Sequence, residues 1–138
     1  YRGWKKFIKI IQELRKQRQD FKVFCSMADA RGQSMVNNSF DDTSFFDYEG
    51  PSDRDEYIAK LTNCRVGFHG GTRWAMSSQD GLCRGIPYVF EKGSETGELF
   101  GDKMQTGFSK NSEAIDLFNR MLDDDEWRNV QSQLALDH

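Results

Sequence analysis

Residues 70–80 hold the strongest chemical signal in the chain: Gly70 and Gly71, then Thr72 and Arg73 opening a helical stretch, then Asp80. Paired glycines let the backbone fold closely around a ligand and adopt left-handed φ without strain. The helix start that follows offers unpaired N–H groups and a positive dipole end, a natural seat for a diphosphate. At 100° per residue Thr72 and Asp80 stand about 80° apart around the helix axis, so the acid still borders the ligand face. An ionised carboxylate accepts two hydrogen bonds at once, which suits the hydroxyls of a ribose. The same residues also fit a plain turn followed by a solvent-facing acid.

Other reactive groups suggest less. Asp123, Asp124 and Asp125 have the look of a metal-binding D-x-D, but acids at the start of a helix usually serve its dipole. Glu91, Glu95 and Glu98 lie on a glycine-punctuated stretch whose backbone N–H groups could also meet an anion. Cys25, Cys64 and Cys83 form no C-x-x-C pair and read as buried, reduced thiols, which points to the cytoplasm. With His69 and His138 as the only histidines, a zinc site is short of ligands, and no metal or cofactor is expected.

Elements of two kinds position these groups. Trp4, Phe7, Ile8, Ile11 and Leu14 recur at helical spacing, giving an amphipathic helix over 4–18. "FKVFCSM" (21–27) reads as a buried strand, 28–44 as a long polar loop, and "FFDY" (45–48) as a second short strand. A helix over 52–63 follows, with Ser52 as its cap, then the strand "CRVGFHG" (64–70). The next helix, 73–84, is stopped by Gly85 and Pro87, and "IPYVFE" (86–91) is the following strand. Beyond a long connection, Asn111 or Ser112 caps a helix whose apolar face is Ala114, Ile115, Phe118, Met121 and Leu122, and "DDDEW" begins a last one. Alternating strands and helices with short connections predict an α/β fold, a Rossmann-like open parallel sheet with helices on both faces. Ligands bind such sheets where strands end and helices begin, which is where residues 70–80 fall.

The stretch "CRVGFHGGTRWAMSSQDGLCRGIPYVFEKGSETGELFGD" (64–102) resembles the C-terminal, nucleotide-sugar-binding domain of GT-B fold glycosyltransferases, especially retaining enzymes of the family-4 type. "EAIDLFNRMLDDDEWR" (113–128) is similar to that domain's tail, and "YRGWKKFIKII" (1–11) to the helix after its first strand. The resemblance covers almost the whole chain, apart from the loop 28–44. Its register comes from "DGLCRGIP", which matches the family's "E-A-M-A-C-G-x-P" without a gap and sets Asp80 at the second acid of an E-x7-E motif, the one that binds ribose hydroxyls.

That register implies the remaining roles. Thr72 stands where the family has the first glutamate, which touches the donor sugar; here the chain departs from the pattern. Trp74 takes the place of a phenylalanine. Ala75 and Met76 take the places of a Gly-Leu pair whose backbone N–H groups hold the diphosphate, beside Gly71. His69 falls on a serine, and Gly50 on a glycine near the base, with Tyr48, Glu49 and Pro51 around it. Arg2 matches a lysine that offsets diphosphate charge, and its guanidinium would supply a two-pronged donor.

The resemblance thus implies a hexosyltransferase whose donor is a UDP-sugar or related nucleotide sugar, with no metal required. It also implies an unknown acceptor and an N-terminal GT-B domain as partner. One reading from another class is a non-catalytic Rossmann-like interaction domain, which Thr72 favours. Another lies among the phage enzymes that glucosylate modified DNA bases, since "DGLCRGIPYVFEKGSETGEL" (80–99) is similar to those as well.

Composition bounds the choices. The 138 residues suit a single domain, and the opening Tyr-Arg-Gly suggests a C-terminal piece of a longer enzyme, so the piece alone is expected to bind without turnover. With 30% charged and 13% aromatic residues, the chain is soluble and globular in type, and no apolar run is long enough to span a membrane. Net charge is −3, although residues 1–22 hold eight Lys/Arg against two acids. That balance does not suit a nucleic-acid-binding module, whose affinity comes mostly from basic excess.

Overall fold

The computed structural model describes residues 2–26, 30–49, 54–69, 80–93 and 105–137. It is a mixed α/β structure. Helix α1 (Arg2–Gln17) leads to strand β1 (Val23–Ser26), α2 (Ala30–Ser39), β2 (Phe46–Glu49), α3 (Arg54–Thr62) and β3 (Gly67–His69). After these come β4 (Tyr88–Glu91), β5 (Gly107–Phe108), α4 (Asn111–Asp123) and α5 (Asp125–Asp137), with residues 80–82 also helical.

All the described strand pairs are parallel. β1 pairs with β2, Val23 opposite Phe46, while β3, β4 and β5 form a second sheet in that order. Parallel neighbours cannot be joined by a tight turn and need a crossover, usually helical. That requirement overturns the expectation of a loop over 28–44, because the crossover from β1 to β2 contains α2. The polar text misleads because Ser34, Asn37 and Asn38 form the exposed face of α2, while Val36 is fully buried in the core. β5 is a second departure: the connection over 92–109 was expected to carry no strand. Two residues show no periodicity, yet Phe108 is fully buried and Phe90 and Lys92 donate backbone hydrogen bonds to Thr106 and Phe108.

Helix α1 buries Ile8, Ile11 and Leu14 as its spacing predicts, and Ile10 as well. The extra width follows from its neighbours, since α1 packs against both α2 and α4. Together with Val23, Val36, Phe45, Phe46, Val89 and Phe108 these residues form one core. A second, smaller core joins Leu61, Leu82, Ile86, Tyr88, Phe90 and Ala135. Gathering such apolar surface is the main driving force for the fold.

Both ends of α4 differ in detail from the expectation. Neither Asn111 nor Ser112 is the cap residue; Lys110 is, and Glu113 reaches back to accept hydrogen bonds from the N–H groups of Lys110 at 2.8 Å and Ser109 at 3.1 Å. At the far end only Asp124 lies between α4 and α5, and its carboxylate accepts the Trp127 N–H at 3.0 Å, so it caps α5. Asp123 ion-pairs with Arg18 and Asp125 with Arg65, so each of the three acids has a structural partner. Cys64 is half-buried, but Cys83 is exposed rather than buried, because it sits in the turn after residue 82. Among the described residues, no helix is long and apolar enough to cross a membrane.

Candidate functional site

The helical residues 80–82 give way to a turn two residues before the expected end at 84, and Gly85 closes that turn as the sequence predicts. Gly85 takes φ +76°, which a Cβ would oppose, and the N–H groups of Arg84 and Ile86 donate to Gly81 while that of Gly85 donates to Leu82. From α5, the Ser132 hydroxyl donates to the Gly85 carbonyl, tying the last helix to this turn. Pro87 and Ile86 are buried beneath it, and the chain passes into β4.

Glycine also sets how closely this helix approaches the sheet. The Tyr88 ring lies against both Gly67 of β3 and Gly81, and a Cβ at either position would overlap it. Burial holds the Tyr88 phenol neutral, far above its ordinary range. Asp80 precedes Gly81, which packs directly on the Tyr88 ring of the central strand β4.

The Asp80 side chain is 21% exposed and faces two arginines. Arg54, the first residue of α3, comes to 3.4 Å from its carboxylate, and Arg84 to 4.0 Å; Arg84 also donates to the Asp80 carbonyl at 2.8 Å. Tyr57 completes the group, its hydroxyl pushed up first by burial and then by the Asp80 charge. An ionised carboxylate between two guanidinium groups remains an acceptor for further donors, and the guanidinium groups can meet an anion beside it.

Of the expected residues, the structure places Asp80 and the backbone of Arg2, which opens α1. Gly50, Gly71, Thr72, Ala75 and Met76, along with Trp74, Pro51 and the loop acids Glu95 and Glu98, lie outside the described residues. The side chains of Arg2, Tyr48 and Glu49 lie outside them too. His69 is buried at the end of β3. Glu91, at the end of β4, is ion-paired with Lys6, so the first half of α1 adjoins the carboxyl end of that strand. Arg2 begins the same helix one turn earlier.

Sequence reasoning missed Arg54, Tyr57 and Arg84. Arg84 was readable in principle, as it stands four residues after Asp80 in the favourable acid-before-base order. Arg54 and Tyr57 come from another element and give no local signal. Among the described residues, no group of three His, Cys, Asp or Glu side chains gathers as a metal site. No protein-family model and no curated protein matches the chain.

Proposed function

We propose that the chain is a Rossmann-like donor domain that binds a nucleoside-diphosphate sugar, most simply a UDP-sugar, as one half of a retaining GT-B glycosyltransferase. The observation that carries this reading is the setting of Asp80. It is a half-buried carboxylate just before a glycine-stopped helix end, at the position where the resemblance calls for a ribose-binding acid. The parallel strands agree with it, since ligands of such sheets sit at strand carboxyl ends, and Lys6 brings the start of α1 to the end of β4.

In this reading Asp80 accepts hydrogen bonds from the ribose, and the backbone N–H groups of Ala75 and Met76, after the turn at Gly71, receive the diphosphate. Arg2 offsets its charge, while Gly50 leaves room for the base. Catalysis comes from stabilising the leaving diphosphate as an acceptor hydroxyl attacks the sugar. The acceptor is held by a partner domain, so these 138 residues bind donor without turning it over.

Titration with UDP tests the assignment. Asp80→Ala is expected to weaken binding by about 1–3 kcal/mol, the cost of losing one or two hydrogen bonds to a charged group, with Asp80→Asn in between. Unchanged affinity in Asp80→Ala would remove the ribose role.

One observation favours a second reading, a non-catalytic interaction domain. Thr72 replaces the sugar-contacting acid, and the Asp80 charge is already shared by Arg54 and Arg84. That reading predicts no UDP binding by the unsubstituted chain.

A further inference from the structure

Glu91 is a second half-buried carboxylate of the three-stranded sheet, and the fold sets it apart from Asp80. Side chains alternate along a strand. Tyr88 and Phe90 of β4 belong to the second core and Val89 to the first, so Glu91 shares the face of Val89, the one that α1 covers. The helical residues that carry Asp80 lie on the other face, with Gly81 against the Tyr88 ring.

Register sets its height. Phe90 stands opposite His69, the last residue of β3, so Glu91 lies one residue beyond the end of that strand, on a neighbour about 5 Å away. From α1, Lys6 pairs with it, and the Lys6 Nζ lies 5.8 Å from the ring centre of Phe108, the residue opposite Glu91 on β5. The two side chains are 22% and 21% exposed, so the pair is held against the sheet and is still open to a ligand. Arg2 begins the same helix four residues earlier, about 6 Å along its axis.

An ionised carboxylate accepts hydrogen bonds and donates none. Beside a diphosphate it faces like charge, so the part of a nucleotide sugar that suits it is an uncharged group rich in O–H donors. The ribose belongs to Asp80 on the opposite face, which leaves the sugar beyond the diphosphate. We propose that Glu91 binds the donor sugar, accepting charge-assisted hydrogen bonds from its hydroxyls, with Lys6 as the positioning residue that holds the carboxylate beside α1. The inference rests on the reading of this chain as a donor domain and adds to it the residue that recognises the transferred group.

The test titrates UDP, UDP-glucose, UDP-galactose and UDP-N-acetylglucosamine into the 138-residue chain and into its Glu91→Gln and Lys6→Gln variants by calorimetry. Glu91→Gln is expected to weaken the best-bound UDP-sugar about tenfold while changing UDP affinity by less than about twofold, because only the sugar loses hydrogen bonds to a charged group. Lys6→Gln breaks the same ion pair and keeps the carboxylate, and is expected to hold the sugar affinity within about threefold. Glu91→Gln leaving every UDP-sugar affinity unchanged, or weakening UDP by the same factor, overturns the inference. So does a Lys6→Gln variant that reproduces the whole sugar-specific loss, which assigns Glu91 to the ion pair alone, and so does binding of UDP without any of the three sugars. Failure of the unsubstituted chain to bind UDP contradicts the donor reading itself, and the role of Glu91 falls with it.

Discussion

The Asp80 carboxylate lies between Arg54, whose side chain is largely exposed, and Arg84, about one-third exposed. Ion pairs in such water-accessible settings are worth about 0–1 kcal/mol, so they leave the carboxylate oxygens able to accept further hydrogen bonds, as the proposed ribose contact requires. Two other residues give independent tests of the local environments. Burial pushes the Cys64 thiol up, and its Sγ donates to the Lys60 carbonyl, whereas Cys83 is exposed. At pH 8 a thiol reagent should therefore label Cys83 first and Cys64 roughly tenfold more slowly or less; equal rates would contradict the placement of Cys64.

Glu113 provides a pH test. The N–H groups of Lys110 and Ser109 hold its carboxyl below the ordinary glutamate range. A folded-state pKa below the unfolded one adds stability above the usual glutamate pKa, and that stability is lost as pH falls through the folded value. Glu113→Gln should therefore lower the urea midpoint more at pH 7 than at pH 3, and equal losses at both pH values would show that the carboxylate charge plays no part.

At the scale of elements, the turn at Gly85 connects the site to the rest of the fold. Its left-handed φ, the Ser132 hydrogen bond and the nearby Leu136 side chain leave no room for a Cβ. Gly85→Ala should cost about 1–2 kcal/mol or more, measured as a lower Tm. This turn was legible because Gly-x-Pro is written into the sequence, and α1 was legible because five apolar residues repeat at helical spacing. α2 was hidden because its exposed face is Ser and Asn, residues that elsewhere mark loops, while Val36 is a single buried apolar side chain among its described residues. β5 was hidden because two residues are too few to show a period, and its place is set by long-range pairing with β4.

For the whole molecule, parallel pairing and two cores make a mixed α/β structure in which the glycine-lined approach to Tyr88 and the ion pair with Arg54 position Asp80. The alternation of strands and helices made that fold class readable. The division of the strands into two sheets was not, because pairing joins segments far apart in sequence and no residue within β1 or β3 names its partner. Much the same holds for the site. Asp80 could be named from a register of eight residues, but Arg54 and Tyr57 reach it only through the packing of α3 beside the second core.

The central proposal is that residues 70–80, between β3 and Gly81, receive a nucleoside diphosphate. Mapping backbone amide shifts while titrating UDP into the 138-residue chain tests it most directly. The account predicts saturable, one-to-one shifts at residues 70–80, around Gly50 and at the start of α1, with α5 unaffected beyond the Gly85 contact. The absence of saturable shifts at millimolar UDP, or shifts confined to other parts of the chain, would contradict it.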